Sequence, residues 1–206
     1  MSGKEKNVKG TAAFYDATAH EWAASGYSDE GEVPALLAFA RQYPAGSRFL
    51  DLCCGCGCDS ARIHALGYDV VGIDFSEESL RIAREKNPDV TFYQDNLLND
   101  YSYIGQVDAA YVIAGLVHIE TAQLRQAFVR IRSVLKAGGG LFVMIREGHG
   151  KMLDRSIRVV NGETYDRNFI GHTLEELIET SLGLFTFVKE VECEDPGWHN
   201  YIFQTA

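Results

Sequence analysis

The chain is 206 residues long, 46% apolar and 23% charged, with 29 acidic side chains against 19 basic ones. That apolar share suits a soluble globular protein and supports one domain, or one domain with a modest cap. A formal charge of −10 argues against nonspecific binding to nucleic acid or anionic membranes, which needs a basic footprint, and no uninterrupted apolar run is long enough to span a bilayer.

The opening Met1-Ser2-Gly3-Lys4-Glu5-Lys6 has no basic-then-apolar leader. Four of the five cysteines crowd into residues 53–58, too close together to bridge one another with good geometry. A reducing, cytoplasmic setting is expected, and no internal repeat, low-complexity tract or linker is visible.

In chain order, residues 8–27 alternate polar and aromatic positions (Phe14, Tyr15, His20, Trp22, Tyr27) and predict a helix ahead of a sheet. Val33, Leu36, Leu37, Phe39 and Ala40 give a second helix an apolar face, and Pro34 fits its first turn. A strand begins near Arg48. The run Phe49-Leu50-Asp51-Leu52-Cys53-Cys54-Gly55-Cys56-Gly57-Cys58-Asp59 then reads as an apolar strand, an acid, a tight glycine turn and the start of a helix. In an open parallel sheet such a turn is where ligands bind. Gly55 and Gly57 permit backbone angles and close approaches that a side chain would forbid.

A nicotinamide turn, Gly-x-Gly-x-x-Gly, needs a glycine where Ser60 stands and has no use for Asp51. A zinc site usually draws paired ligands from two separated segments, whereas Cys193 is the only other cysteine. No metal is expected, and the thiols read as small residues filling a tight turn.

The same run resembles motif I of the class I methyltransferases that use S-adenosylmethionine, an acid followed by Gly-x-Gly-x-Gly, with Cys53 where the first glycine is expected. The resemblance implies that Asp51, Cys53, Gly55 and Gly57 border the cofactor. It makes Tyr15, in a "Tyr-Asp…Ala" segment found in lids of small methyltransferases, a contact for the methionine end; an aromatic anchor on the sheet is the other reading.

Beyond the turn, a short helix stops at Gly67, and Tyr68–Asp74 reads as a buried parallel strand closing on an acid. An acid there accepts both ribose hydroxyls in adenosine cofactors generally, which marks Asp74. In the family pattern Phe75 lies against the adenine; otherwise it is a core side chain. Ser76 can cap the next helix, which Asn87-Pro88 breaks. The strand at 90–95 ends in Asp95-Asn96-Leu97, which resembles the family's adenine-recognising segment, although Asp-Asn is also turn chemistry. A fourth strand, 106–113, ends at Ile113 and leads into Ala114-Gly115-Leu116-Val117-His118-Ile119, the family's active-site loop. His118 is either a general base or the residue that orients this loop.

Leu124 to Leu135 form the cleanest amphipathic helix, expected to stop at Gly138-Gly139-Gly140 before a strand over 141–145. From Arg146 to His172 the pattern loosens, as a solvated hairpin or as an insertion that shapes an acceptor pocket. Arg146, Arg155, Arg158 and Arg167 there hint at a carboxylate or phosphate on the acceptor, and Tyr27, Arg146 and Arg167 are taken as substrate-side residues. Thr173-Leu174-Glu175-Glu176 is a capping box for the last helix. Two final strands joined by a tight turn must be antiparallel.

The expected fold is therefore an α/β, Rossmann-like doubly wound sandwich: a seven-stranded, mostly parallel sheet with an antiparallel last strand and an N-terminal helical cap. The expected divisions are a cap over 1–45, a cofactor core over 46–147, a substrate-side insertion over 148–172, and a last helix and strand pair over 173–206. The expected activity is methyl transfer from S-adenosylmethionine, leaving S-adenosylhomocysteine, to a small-molecule acceptor, by a monomer or homodimer without nucleic-acid or membrane partners. A catalytically silent scaffold of the same fold and a nicotinamide-dependent oxidoreductase are the alternatives.

Overall fold

The computed structural model describes residues 8–28, 31 and 33–206. The opening residues, on which the leader expectation rests, lie outside them.

The first helix, α1 (Thr11–Gly26), is followed by α2 (Pro34–Ala40), which starts on its proline. Alternating units follow: β1 (Arg48–Leu52), α3 (Cys58–Ala65), β2 (Asp69–Asp74), α4 (Glu77–Lys86), β3 (Thr91–Gln94), β4 (Val107–Ile113), α5 (Leu124–Val134) and β5 (Leu135–Arg146). A short-element segment carries β6 (Gly150–Lys151), α6 (Leu153–Ser156), β7 (Ile157–Val160), β8 (Glu163–Asp166) and β9 (Ile170–Gly171). The chain closes with α7 (Leu174–Ser181), β10 (Phe185–Val191) and β11 (Trp198–Thr205).

The main sheet runs β3-β2-β1-β4-β5-β11-β10. Its first five strands pair in parallel, while β11 runs antiparallel to both β5 and β10, as the short turn between the last two strands requires. The chain leaves β1 toward β2 on one side and later returns as β4 on the other. The carboxyl end of β1 is therefore the switch point where a crevice opens.

Both sheet faces are buried, so the central strands are continuously apolar. One face packs Phe128, Ile131 and Leu177 of α5 and α7. The other packs Leu36 and Phe39 of α2, Ile63 of α3 and Leu80 of α4 around Phe49 and Phe142. α1 lies outside this second layer, with Ala19 and Ala23 against Cys56 and Ile82.

Local capping follows the sequence. Ser76 Oγ accepts from the Ser79 amide, and Thr173 and Glu176 form the reciprocal box. The glycine run differs. The helix ends at Val134 and the strand begins at Leu135, because buried Leu135 already pairs with Val107 before a register shift brings Ala109 opposite Gly140. A Cβ on Gly140 would run into Tyr43 and Phe39, so the bare backbone there lets α2 seat against the sheet.

The loosely patterned insertion contains a true hairpin. β7 and β8 turn through Asn161 and Gly162, both at positive φ, as two-residue hairpin turns demand. The hairpin docks on the start of α1, where Lys9 bridges Tyr165 and the Phe14 ring meets the Tyr165 ring edge-on.

Candidate active site

A cavity of about 850 Å³ opens at the switch point, near the upper end of the usual range for small-molecule sites. Its floor is the β1–α3 turn, and the end of β2 closes one side. The loop after β4 and the insertion close another, and Tyr15 and Trp22 of α1 lie across it.

Asp51, next to last in β1, lies on this floor, 3% exposed, and accepts a 2.5 Å hydrogen bond from Ser60. Burial, and then the charge of nearby Asp59, push its carboxyl up to about 8. Burial also raises Asp59, to about 6, against the pull of Arg62. Asp74 ends the neighbouring strand. One carboxylate oxygen accepts from the Gly55 amide at 2.9 Å and the other from the Ser76 amide at 2.8 Å. Burial outweighs these amides and raises Asp74 as well. Three carboxyls thus share a partly dehydrated crevice, an arrangement that a cationic ligand would relieve.

The turn itself is strained at one place. Cys53 has φ +61, the left-handed region that costs an L-residue about 1–2 kcal/mol, so the position favours glycine on backbone grounds. Ala114 on the opposing loop is also left-handed, at φ +54, and both residues line the cavity. Burial holds the Cys53 and Cys54 thiols far above their ordinary range and Cys58 at about 12, so these sulfurs stay protonated.

Gly55 leaves open space where a Cβ would stand. Gly57, by contrast, faces the packing: a Cβ would sit 3.0 Å from Ala83, Asn87 and Phe92. It lets α3 pack closely and does not line the cavity.

Tyr15 and His118 line the same cavity. The Tyr15 hydroxyl bonds His118 Nε2 at 2.8 Å, and His118 Nδ1 bonds the Arg167 carbonyl at 2.9 Å. A carbonyl only accepts, so Nδ1 carries the proton and Nε2 accepts from the tyrosine. Burial pulls His118 down to about 4 and pushes Tyr15 up to about 12. Both are neutral near pH 7.

Of the residues singled out from the sequence, Tyr15, Asp51, Cys53, Gly55, Asp74, Phe75, Ile113, His118 and Arg167 line this cavity. Others do not. Asp95 spends its oxygens on the Asn96 amide, Asn99 and Tyr103, while Asn96 turns back on the Leu98 amide; this is the turn chemistry of the pair. Leu97 is a core side chain. Tyr27 hydrogen-bonds the Cys56 carbonyl and Asn87 from beneath the turn, which makes it an anchor for that turn. Arg146 reaches the Pro196 carbonyl under Gly197, so it braces the β10–β11 turn.

Sequence reasoning passed over Trp22, Phe169, Trp198 and Asn200 as cavity residues. Asn200 had a usable signal, a polar side chain in an apolar strand. It is 2% exposed, Nδ2 donates to the Glu192 carbonyl, and Oδ1 has no partner among the described residues.

Comparison with known proteins bears on the same segment. Residues 49–139 match a family model described as a methyltransferase domain. An uncharacterized methyltransferase of Synechocystis sp., sll0829, is 33% identical over 101 residues, 48% of this chain and 47% of the relative. The demethylmenaquinone methyltransferase of Paenarthrobacter aurescens is 30% identical over 108 residues, 52% of this chain and 42% of the relative. The chain thus spans less than half the length of these relatives. A solved complex of DhpI with SAH superposes with a TM-score of 0.74 over 95% of both chains at 23% identity, a likeness of fold. Residues 49–139 of this chain thus resemble a methyltransferase domain, and the strand order and the acids near the carboxyl ends of β1 and β2 agree with the fold of that solved structure.

Proposed function

We propose that this chain methylates a small-molecule acceptor with S-adenosylmethionine as methyl donor. One observation carries the reading: buried carboxyls Asp51 and Asp74, near the carboxyl ends of adjacent strands β1 and β2, border one cavity that Tyr15 and His118 also line.

The residues present fit the cofactor. Asp51 and Asp74 supply negative charge for a ligand with sulfonium and ammonium groups and acceptors for ribose hydroxyls. Gly55 leaves the floor bare, and Phe75 and Ile113 give apolar surface. When bound, the cofactor supplies a methyl group on sulfur that departs as a neutral thioether, so the protein's work is alignment and exclusion of water.

The chain's own groups serve that work. α1 covers the crevice and is held there by Asp16, which accepts a 2.6 Å hydrogen bond from Ser76. Tyr15 donates to His118 and retains oxygen lone pairs to orient an O–H or N–H nucleophile. A nucleophile held there would lose its proton through Tyr15 or water. A small acceptor accords with the demethylmenaquinone specified in one relative's name.

Calorimetry with S-adenosylmethionine and S-adenosylhomocysteine, with NADH as control, tests the reading. One-to-one binding of the sulfur ligands alone is expected, and Asp74→Ala should weaken it more than tenfold, or about 1.4 kcal/mol. Binding of NADH alone, or of none of the three, would overturn it.

A further inference from the structure

Resting on the methyl-transfer reading of this cavity, we propose that the acceptor is an anion, a carboxylate or phosphate ester with a flat apolar body. Arg167 and Arg155 take its charge, and Phe169 and Trp198 take its body.

Arg167 is 6% exposed, yet its guanidinium has no carboxylate partner among the described residues. Its Nε donates to the Arg155 carbonyl at 2.8 Å, and the plane lies 5.2 Å from the Phe14 ring centroid and 4.9 Å from that of Phe169. Buried charges are as a rule paired. Elsewhere in this chain Arg48, Arg62 and Arg81 each meet an aspartate or glutamate.

Arg155 stands on the same wall, half-buried, 5.8 Å from the Phe169 ring centroid, and likewise without a carboxylate partner among the described residues. The two positive charges oppose one another: burial first, and then Arg158 and Arg155 among the neighbours, lower Arg167 from its ordinary value. In a chain with ten more acids than bases, such a wall runs against composition, and an anion docked between the guanidiniums supplies the missing counter-charge.

The same cavity lining carries Asp51, Asp59 and Asp74 as well as the two arginines. The remaining acids on the lining, Glu192, Glu194 and Asp195, are exposed side chains of the β10–β11 turn, and none lies within ion-pair distance of Arg155 or Arg167. The Phe169 and Trp198 rings meet edge-on at 6.1 Å beside the arginines, a surface suited to a planar body. The Arg167 carbonyl also holds His118, which links the anion clamp to the Tyr15 hydroxyl.

The test is calorimetry on protein saturated with S-adenosylhomocysteine, titrated with benzoate, phenyl phosphate and neutral benzamide. At least one anion should bind tenfold or more tightly than benzamide. Arg155→Gln, a half-buried position that leaves the Phe14–Arg167–Phe169 stack intact, should abolish that preference while S-adenosylhomocysteine affinity changes less than threefold. Arg167→Gln should do the same in a variant that melts cooperatively. Equal binding of anion and amide, or an Arg155→Gln loss confined to S-adenosylhomocysteine affinity, would overturn the proposal; the latter would assign the guanidiniums to the cofactor's own carboxylate. Should S-adenosylhomocysteine fail to bind while the unliganded protein still prefers the anions in an Arg155-dependent way, the methyl-transfer reading falls and the anion site stands.

Discussion

Tyr15 and His118, 103 positions apart in the chain, share a 2.8 Å hydrogen bond that ties the covering helix to the loop after β4. Because His118 Nδ1 is bound to the Arg167 carbonyl, the imidazole offers only Nε2, and the tyrosine already occupies it. On the proposed reading, His118 acts through Tyr15, as a positioning residue.

Tyr15→Phe should lower kcat by roughly 10²-fold or more, the low end of what a positioned proton-transfer group contributes. Affinity for S-adenosylhomocysteine should change less than tenfold. His118→Ala should cost about 1–3 kcal/mol of stability, since it strands a buried hydroxyl and a buried carbonyl. With His118 near 4, no histidine limb should appear in the kcat profile between pH 5.5 and 8. A limb near 6.5 that vanishes in His118→Gln would show that the imidazole titrates and would remove this account.

The carboxyl at Asp51 gives stability an unusual pH sign. Its folded pKa, about 8, lies above the unfolded value, so the native state holds the extra proton between roughly pH 4 and 8 and loses stability as pH rises through that window. His118, lowered by burial, works oppositely but only between about 4 and 6.5. From pH 6.5 to 8 the Asp51 contribution stands alone among these groups, with a slope of up to about 1.4 kcal/mol per pH unit. Ligand-free melts should decline over that range, and Asp51→Asn should flatten the decline. S-adenosylmethionine binding at pH 7 should release close to one proton, read from calorimetry in buffers of different ionisation enthalpy. A slope surviving in Asp51→Asn would assign it to other groups.

Cys53 allows a sharp comparison of two small residues. At φ +61 glycine is at ease and alanine is not, whereas in helices and strands alanine is the better residue. Cys53→Gly should therefore be more stable than Cys53→Ala by about 1–2 kcal/mol, as measured by denaturant melts. The reverse order would mean that the turn relaxes out of the left-handed region.

These positions also show what could be read from the chain alone. The 49–59 turn was legible because an apolar strand, an acid and glycines fall within eleven residues, and Asp74 because it closes the next apolar run. Tyr15 came from a local pattern around the aromatic. Asp95-Asn96-Leu97 resembled an adenine-recognising segment and equally a turn; in the fold Asp95 bonds the Asn96 amide, Asn99 and Tyr103, the turn reading, and Leu97 joins the core. The arginine-lined wall was harder. Arg155 sits on a four-residue turn with no periodicity, and Phe169 and Trp198 meet only after β11 has folded back beside β5. Arg146 and Arg167 look alike in sequence, and only the fold sends one to the Pro196 carbonyl and the other into the cavity.

Gly55 and Gly57 look equivalent in the motif and should separate cleanly on mutation. Both have positive φ, +50 and +77, so alanine at either costs about 1–2 kcal/mol of backbone strain. At Gly55 the new methyl enters open cavity, and the further loss should be in binding: S-adenosylhomocysteine affinity down tenfold or more, with a cooperative melt. At Gly57 the methyl must displace Ala83, Asn87 and Phe92, each 3.0 Å away, which adds an overpacking cost of about 1–3 kcal/mol. Gly57→Ala should melt well below Gly55→Ala, yet whatever fraction remains folded should bind the ligand more tightly than Gly55→Ala does. Paired melts and titrations of the two variants decide the matter. Equal melting points with equal affinities would mean that the two glycines serve one purpose, and the division of the turn into a cavity side and a packing side would be wrong.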